Sequence, residues 1–157
     1  MFDGGSGAHI RSATMAGRPR RQQIVVASTV ALVLLAACGE GTSGLVGPTW
    51  QWTNLTENAP LAHSEISDPS LYTLTLADDG SFQAKADCNT VVGTYVTDGD
   101  EITLSPGPST LVACPEGSLA DQFVSLLHTV STFGVDGDEL ALHFEDAAGK
   151  MTFAAAS

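Results

Sequence analysis

The chain predicts an α+β domain: a strongly curved, mostly antiparallel β-sheet packed on one main α-helix. Three observations carry this expectation. From Thr49 onward, apolar and polar residues alternate with period two. Short Asp-Gly signals punctuate the alternation at Asp79-Gly80, Asp98-Gly99 and Asp136-Gly137. One segment, Leu119, Phe123, Leu126, Leu127 and Val130, breaks the pattern and follows helical spacing instead. Strands alternate faces at every residue, whereas a helix repeats near every third or fourth.

Taken in order, Thr49 to Leu55 places Trp50 and Trp52 on one face. Tyr72, Leu74 and Leu76 share a face, and so do Phe82, Ala84 and Ala86, with Asp78-Asp79-Gly80 between them as hairpin chemistry. Val91 to Val96 and Glu101 to Leu104 flank Asp98-Gly99. Phe133 to Val135 and Glu139 to Phe144 flank Asp136-Gly137, and Met151 to Ala154 makes a last strand. The helix is expected from about Leu119 to Val130. Pro115 and Gly117 precede it, and Ser118 with Asp121 three residues on resembles a capping box.

Ahead of this domain stands an export signal. Arg18, Arg20 and Arg21 form a positive region, Ile24 to Leu35 an apolar one, and Leu35-Ala36-Ala37-Cys38 closes it as a lipobox. The apolar run rises roughly 18 Å as a helix, short of a roughly 30 Å hydrocarbon core, so a cleaved signal is favoured over a permanent span. Cys38 is the residue expected to carry lipid, palmitate among its acyl chains, because stable anchoring takes more than one chain. The true start is expected at Met15, since Met1 to Thr14 puts a long polar lead before the arginines. Residues 1–37 are thus a signal region, 38–48 the lipidated cysteine and a Gly/Ser tether, and 49–157 the domain. The protein is expected on the extracytoplasmic side of a membrane. Gly39 carries no inner-membrane retention signal, a rule that matters only in a two-membrane cell.

Charge narrows the partners. Lys85 and Lys150 are the only Lys or Arg after Cys38, against 17 acidic residues, a net of about −15. Such a surface repels phosphate backbones, so nucleic-acid binding is excluded; a basic partner, a cation or simple solubility is compatible. Cys88 and Cys114 are left as an even pair once Cys38 is acylated. In an oxidising compartment they are expected to form a disulfide, with a two-thiol metal or redox site as the alternative.

Asp87-Cys88-Asn89, Val92-Gly93-Thr94-Tyr95 and Ser109-Thr110-Leu111-Val112-Ala113-Cys114-Pro115 together resemble the META domain, the family of the heat-shock protein HslJ and related bacterial lipoproteins. Phe133-Gly134-Val135, Gly137-Asp138-Glu139-Leu140 and the Trp50/Trp52 strand extend the resemblance over about Thr49 to Phe153. It implies a compact β-rich fold with one helix, a loose association with stress response and the cell envelope, and no established catalysis. Asn89, Gly93, Tyr95 and Thr110, with the two cysteines, are expected to be structural: Asn89 as a turn cap, Gly93 as a point of close approach.

Asp121, Ser125 and His128 share a helix face, but the serine lies between the acid and the imidazole, the wrong order for a triad. His63 and His143 have no ligand partners at suitable spacing. The repeated Asp-Gly-Asp-Glu turns at Asp98 and Asp136 invite calcium, without the convergence it needs. The expectation is a monomeric, non-enzymatic binding or scaffold module with no cofactor, held at the membrane and meeting an envelope protein of unspecified identity. The alternatives are an exported enzyme of unrecognised type and a cation-responsive acidic module.

Overall fold

The computed structural model describes residues 44–157. The signal region, Met15 and Cys38 lie outside the described residues. Nine strands follow in chain order: β1 (Thr49–Asn58), β2 (Leu61–Glu65), β3 (Tyr72–Leu76), β4 (Ser81–Ala86), β5 (Asn89–Asp98), β6 (Glu101–Ser109), β7 (Val130–Asp136), β8 (Glu139–Phe144) and β9 (Gly149–Ala155). One helix, α1 (Ala120–Leu127), joins β6 to β7. The sheet runs β2-β1-β3-β4-β5-β6-β7-β8-β9 with antiparallel neighbours, and β1 also pairs with β9, from Trp50 opposite Ala155 to Glu57 opposite Gly149. The sheet therefore closes on itself. β2 lies outside the ring, taking over the edge of β1 that β3 leaves after Gln51.

The expected α+β packing on a main helix is overturned. The molecule is mostly a nine-stranded antiparallel sheet with one short helix. Period-two alternation says that each strand has an apolar face, not what covers it. Here the sheet curls until its own apolar face covers itself, which also removes most exposed edges. Of the single buried hydrophobic cluster, α1 supplies only Ala120, Phe123 and Leu127; the strands supply most of the rest.

The helix is also shorter than expected. Val130 opens β7, opposite Phe144. The expected capping box gives way to a different arrangement. The Leu119 N–H donates to the Tyr72 hydroxyl at 2.9 Å, and the Ala120 N–H donates to Ser118 Oγ at 3.2 Å. A tertiary partner thus satisfies a helix-end donor that local sequence would have assigned to a side chain.

Two features of the wall escape a parity reading. β1 carries a bulge: Trp52 opposes Phe153 but Asn54 opposes Thr152, so Trp50, Trp52 and Leu55 all point inward across an odd step. The extra residue, Thr53, donates its hydroxyl to the Thr152 carbonyl at 3.0 Å. β2 was not foreseen. Its side chains are all exposed or half-buried, so no alternation marks it.

Both ends of the ring are filled. At one end Phe123 stacks on Trp52 with ring centres 5.3 Å apart and meets Tyr72 edge-on at 5.8 Å and Phe153 at 6.3 Å. At the other end Leu45 is fully buried and its carbonyl accepts from Trp50 Nε1 at 2.9 Å. The tether, expected to reach Pro48, is thus folded chain from Leu45 on.

The three hairpin turns β3–β4, β5–β6 and β7–β8 lie at the Leu45 end, as the antiparallel order requires. In the last two the loop residues are Gly99-Asp100 and Gly137-Asp138, with the glycines at φ 64° and 58°. That is the type II′ pattern, glycine leading, so Asp98 and Asp136 close their strands rather than open the turns.

Gly93 is required by close approach. It sits opposite Phe82, and a Cβ there would stand 2.6 Å from the Phe82 ring and 2.5 Å from the Ser105 carbonyl oxygen. Neither the buried ring nor the β6 backbone can retreat cheaply. Gly93→Ala is expected to destabilise by about 1–3 kcal/mol, the range for overpacking. Urea denaturation would measure it, and an unchanged midpoint would contradict this packing.

Candidate functional site

Four of the six motif residues converge beside α1. Cys88 and Cys114 are disulfide-bonded, their Cα atoms 5.5 Å apart across 26 residues of chain. Both sulfurs are thereby occupied, which leaves no two-thiol metal site. Asn89 uses its side chain as a substitute peptide group. Its Oδ1 accepts from the Val112 N–H at 2.8 Å and its Nδ2 donates to the Val112 carbonyl at 2.9 Å. Thr110 Oγ1 donates to Asn89 Oδ1 at 3.1 Å and accepts from the Thr90 N–H at 3.0 Å. The β5–β6 ladder is thus continued by side chains past the point where the strands part. Asn89 was expected to cap a turn; it instead pins a loop 23 residues away.

This pinned loop presents apolar side chains to water. Leu111 is 94 % exposed and Val112 58 % exposed. The other two motif residues lie elsewhere. Gly93 stands in the barrel wall. Tyr95 donates its hydroxyl to the Ala77 carbonyl at 2.6 Å, at the Leu45 end. Burial raises the Tyr95 hydroxyl above its ordinary pKa, helped by the charges of Asp78 and Asp79.

The remaining sequence candidates are not brought together. Asp121 and Ser125 on α1, and His128 just past its end, are all exposed. Among the described residues no group of three or more His, Cys, Asp or Glu converges on a point that could hold a metal ion. Asp79 works within its own turn. Its Oδ1 accepts from Ser81 Oγ at 2.6 Å and from the Ser81 N–H at 2.9 Å, and these bonds hold the carboxyl below its ordinary range. The tryptophans are core: Trp50 is 1 % and Trp52 0 % exposed, so neither offers a ligand platform.

A second region was invisible in the sequence. Register aligns Thr132, His143, Lys150, Thr56 and His63 as one outward row across β7, β8, β9, β1 and β2. Neighbours directly opposite on one face of a sheet stand roughly 5 Å apart at Cβ. His63 is tied into the row: its Nδ1 lies 3.2 Å from Thr56 Oγ1, and Asn54 Nδ2 lies 3.4 Å from its Nε2. Over this row opens a pocket of about 580 Å³ whose lining includes Thr56, Thr132, His143 and Lys150. Its rim is the turn before β9. There Asp146 and Ala147 both hold φ near 53°, a left-handed conformation that costs non-glycine residues free energy. Asn58 secures this turn, its Nδ2 donating to the Ala147 carbonyl at 2.7 Å and its backbone N–H to the Ala148 carbonyl at 2.8 Å. Gly149 lets β9 lie against β1, since a Cβ there would overlap the Thr56 carbonyl.

Comparison with known proteins gives a family and a fold. The META domain family matches residues 43–157. A DUF4847 family protein from Bacteroides vulgatus superimposes with a TM-score of 0.55 at 16% identity, covering 72% of this chain and 95% of that one. A protein from Burkholderia xenovorans, solved by NMR, gives 0.61 at 18% identity, covering 96% and 99%. At these identities the likeness is one of fold. No curated protein matches the chain.

Proposed function

The chain belongs to the META domain family, and on that premise we propose that it is a lipid-anchored envelope protein whose domain is a non-enzymatic module for docking another protein. The anchoring part of this reading is supported by the arginine-rich, apolar and Leu35-Ala36-Ala37-Cys38 segments in sequence. The docking part rests on one observation. Leu111 and Val112 stand in water on a loop fastened by a disulfide and the Asn89 bonds. A free loop would turn such side chains inward or let them move. Bracing that holds them out makes a pre-ordered contact surface, and ordering a loop in advance lowers the cost of binding. The partner's chemistry follows from charge. An apolar contact on a domain carrying about −14 suits a surface with an apolar centre and a basic rim.

A photoreactive residue placed at Leu111, with Leu61 (82 % exposed) as the control position, tests this in living cells. The expected result is a discrete adduct from position 111 alone, reduced by Cys38→Ala and by added salt. Equal labelling from both positions, or none from 111, would refute the docking surface. Recovery of Cys38→Ala in the membrane fraction at the original level would refute the anchor independently.

A further inference from the structure

We propose that the pocket over the β7–β8–β9–β1 row is a binding site for a compact hydroxylated carboxylate, the sugar acids being the simplest class. Lys150 is one of only two Lys or Arg after Cys38, and it lines this pocket. In a domain so rich in acid, the cation has many carboxylates it could have faced on the surface. It stands instead in register with His143 on one side and Thr56 on the other, neither of them an acid. A ligand carboxylate meets there an ammonium donor with an imidazole beside it.

The rest of the lining suits hydroxyl groups. Thr56, Thr132 and Asn58 offer donors and acceptors, and Asp146 at the rim is an acceptor for ligand hydroxyl hydrogens. Thr56 Oγ1 and Asn58 Nδ2 are already engaged by His63 and by the Ala147 carbonyl, but a plain carboxylate would leave Thr132 and Asp146 unused by the ligand, and a neutral sugar would leave the Lys150 ammonium unused. The volume of about 580 Å³ falls within the range of small-molecule sites. The turn that forms the rim is strained at two consecutive non-glycine residues and secured from β1 by Asn58. Strain retained at the mouth of a cavity is the kind that a binding site maintains. This site is separate from the Leu111 loop, so either can fail without the other.

Equilibrium dialysis of the full-length protein tests it, with glucuronate, galacturonate and gluconate as probes and glucose and acetate as comparators. At least one of the three acids is expected to bind ten-fold or more tightly than either comparator. Lys150→Met should lower that affinity at least ten-fold, while Lys85→Met leaves it unchanged. Thr132→Val should lower it less, and all three variants should keep the parent melting temperature. Retention of the acids at millimolar concentration no better than that of glucose or acetate would overturn the site. So would equal binding by the Lys150→Met protein.

Discussion

Phe123→Ala is expected to cost about 3–5 kcal/mol, the range for removing a fully buried aromatic side chain. Phe123 is 0 % exposed and is the only aromatic residue of α1. It touches Trp52, Tyr72 and Phe153, which come from β1, β3 and β9. Those three strands lie side by side around the ring, β1 between the others. The ring of Phe123 thus fills the barrel end where all three converge. Removing it would leave a void that the wall cannot collapse into, because the strands are already hydrogen-bonded on both sides. For a domain of this size, each kcal/mol moves the melting temperature by roughly 4 °C, so a fall of about 10–20 °C is expected by calorimetry. Loss of near-ultraviolet ellipticity should accompany it, since Trp52 loses its stacking partner. A cost below about 1 kcal/mol would show that α1 does not stopper the barrel.

The second large effect is expected at Cys88 and Cys114. Replacing both with serine frees a closed loop of 26 residues. The chain-entropy model assigns about 3–4 kcal/mol to such a cross-link. The loss should have a local signature as well. The loop between β6 and α1 would keep its Asn89 and Thr110 bonds but lose its covalent end. Amide exchange at Val112 and Leu119 should therefore quicken more than exchange at Leu74 or Leu142 in the wall. Uniform acceleration across the domain would mean that the cross-link acts only on the unfolded chain. No change in stability would mean that the loop is held by Asn89 alone.

Much of the fold was legible because strand alternation and turn chemistry are local. Trp50 and Trp52, the Tyr72, Leu74 and Leu76 face and the Phe82, Ala84 and Ala86 face were each readable as one side of a strand, and all are buried. The helix was legible in its apolar stripe but not in its end. Val130 fits both helical spacing and a strand, and pairing with Phe144 decides between them. At the sites, the cysteine pair and Asn89 were marked by their neighbours in sequence. The task of Asn89 was not, because its partner Val112 is set by how β6 leaves the sheet. His143 read as an isolated histidine and Lys150 only as a remaining charge, since nothing in a linear chain says that they are adjacent to each other or to Thr56.

By itself, the sequence determined the inward faces, the turn positions, the acidity of the surface and the cysteine pair. Each depends on side-chain chemistry within a few residues. Only the tertiary structure decided that the sheet closes, that the helix is a stopper rather than a layer, and that one lysine stands over a pocket. Those outcomes hang on the pairing of Trp50 with Ala155 and of Thr56 with Lys150. Such contacts join distant parts of the chain, and period-two alternation is blind to them, because every strand satisfies it equally well whichever neighbour it takes.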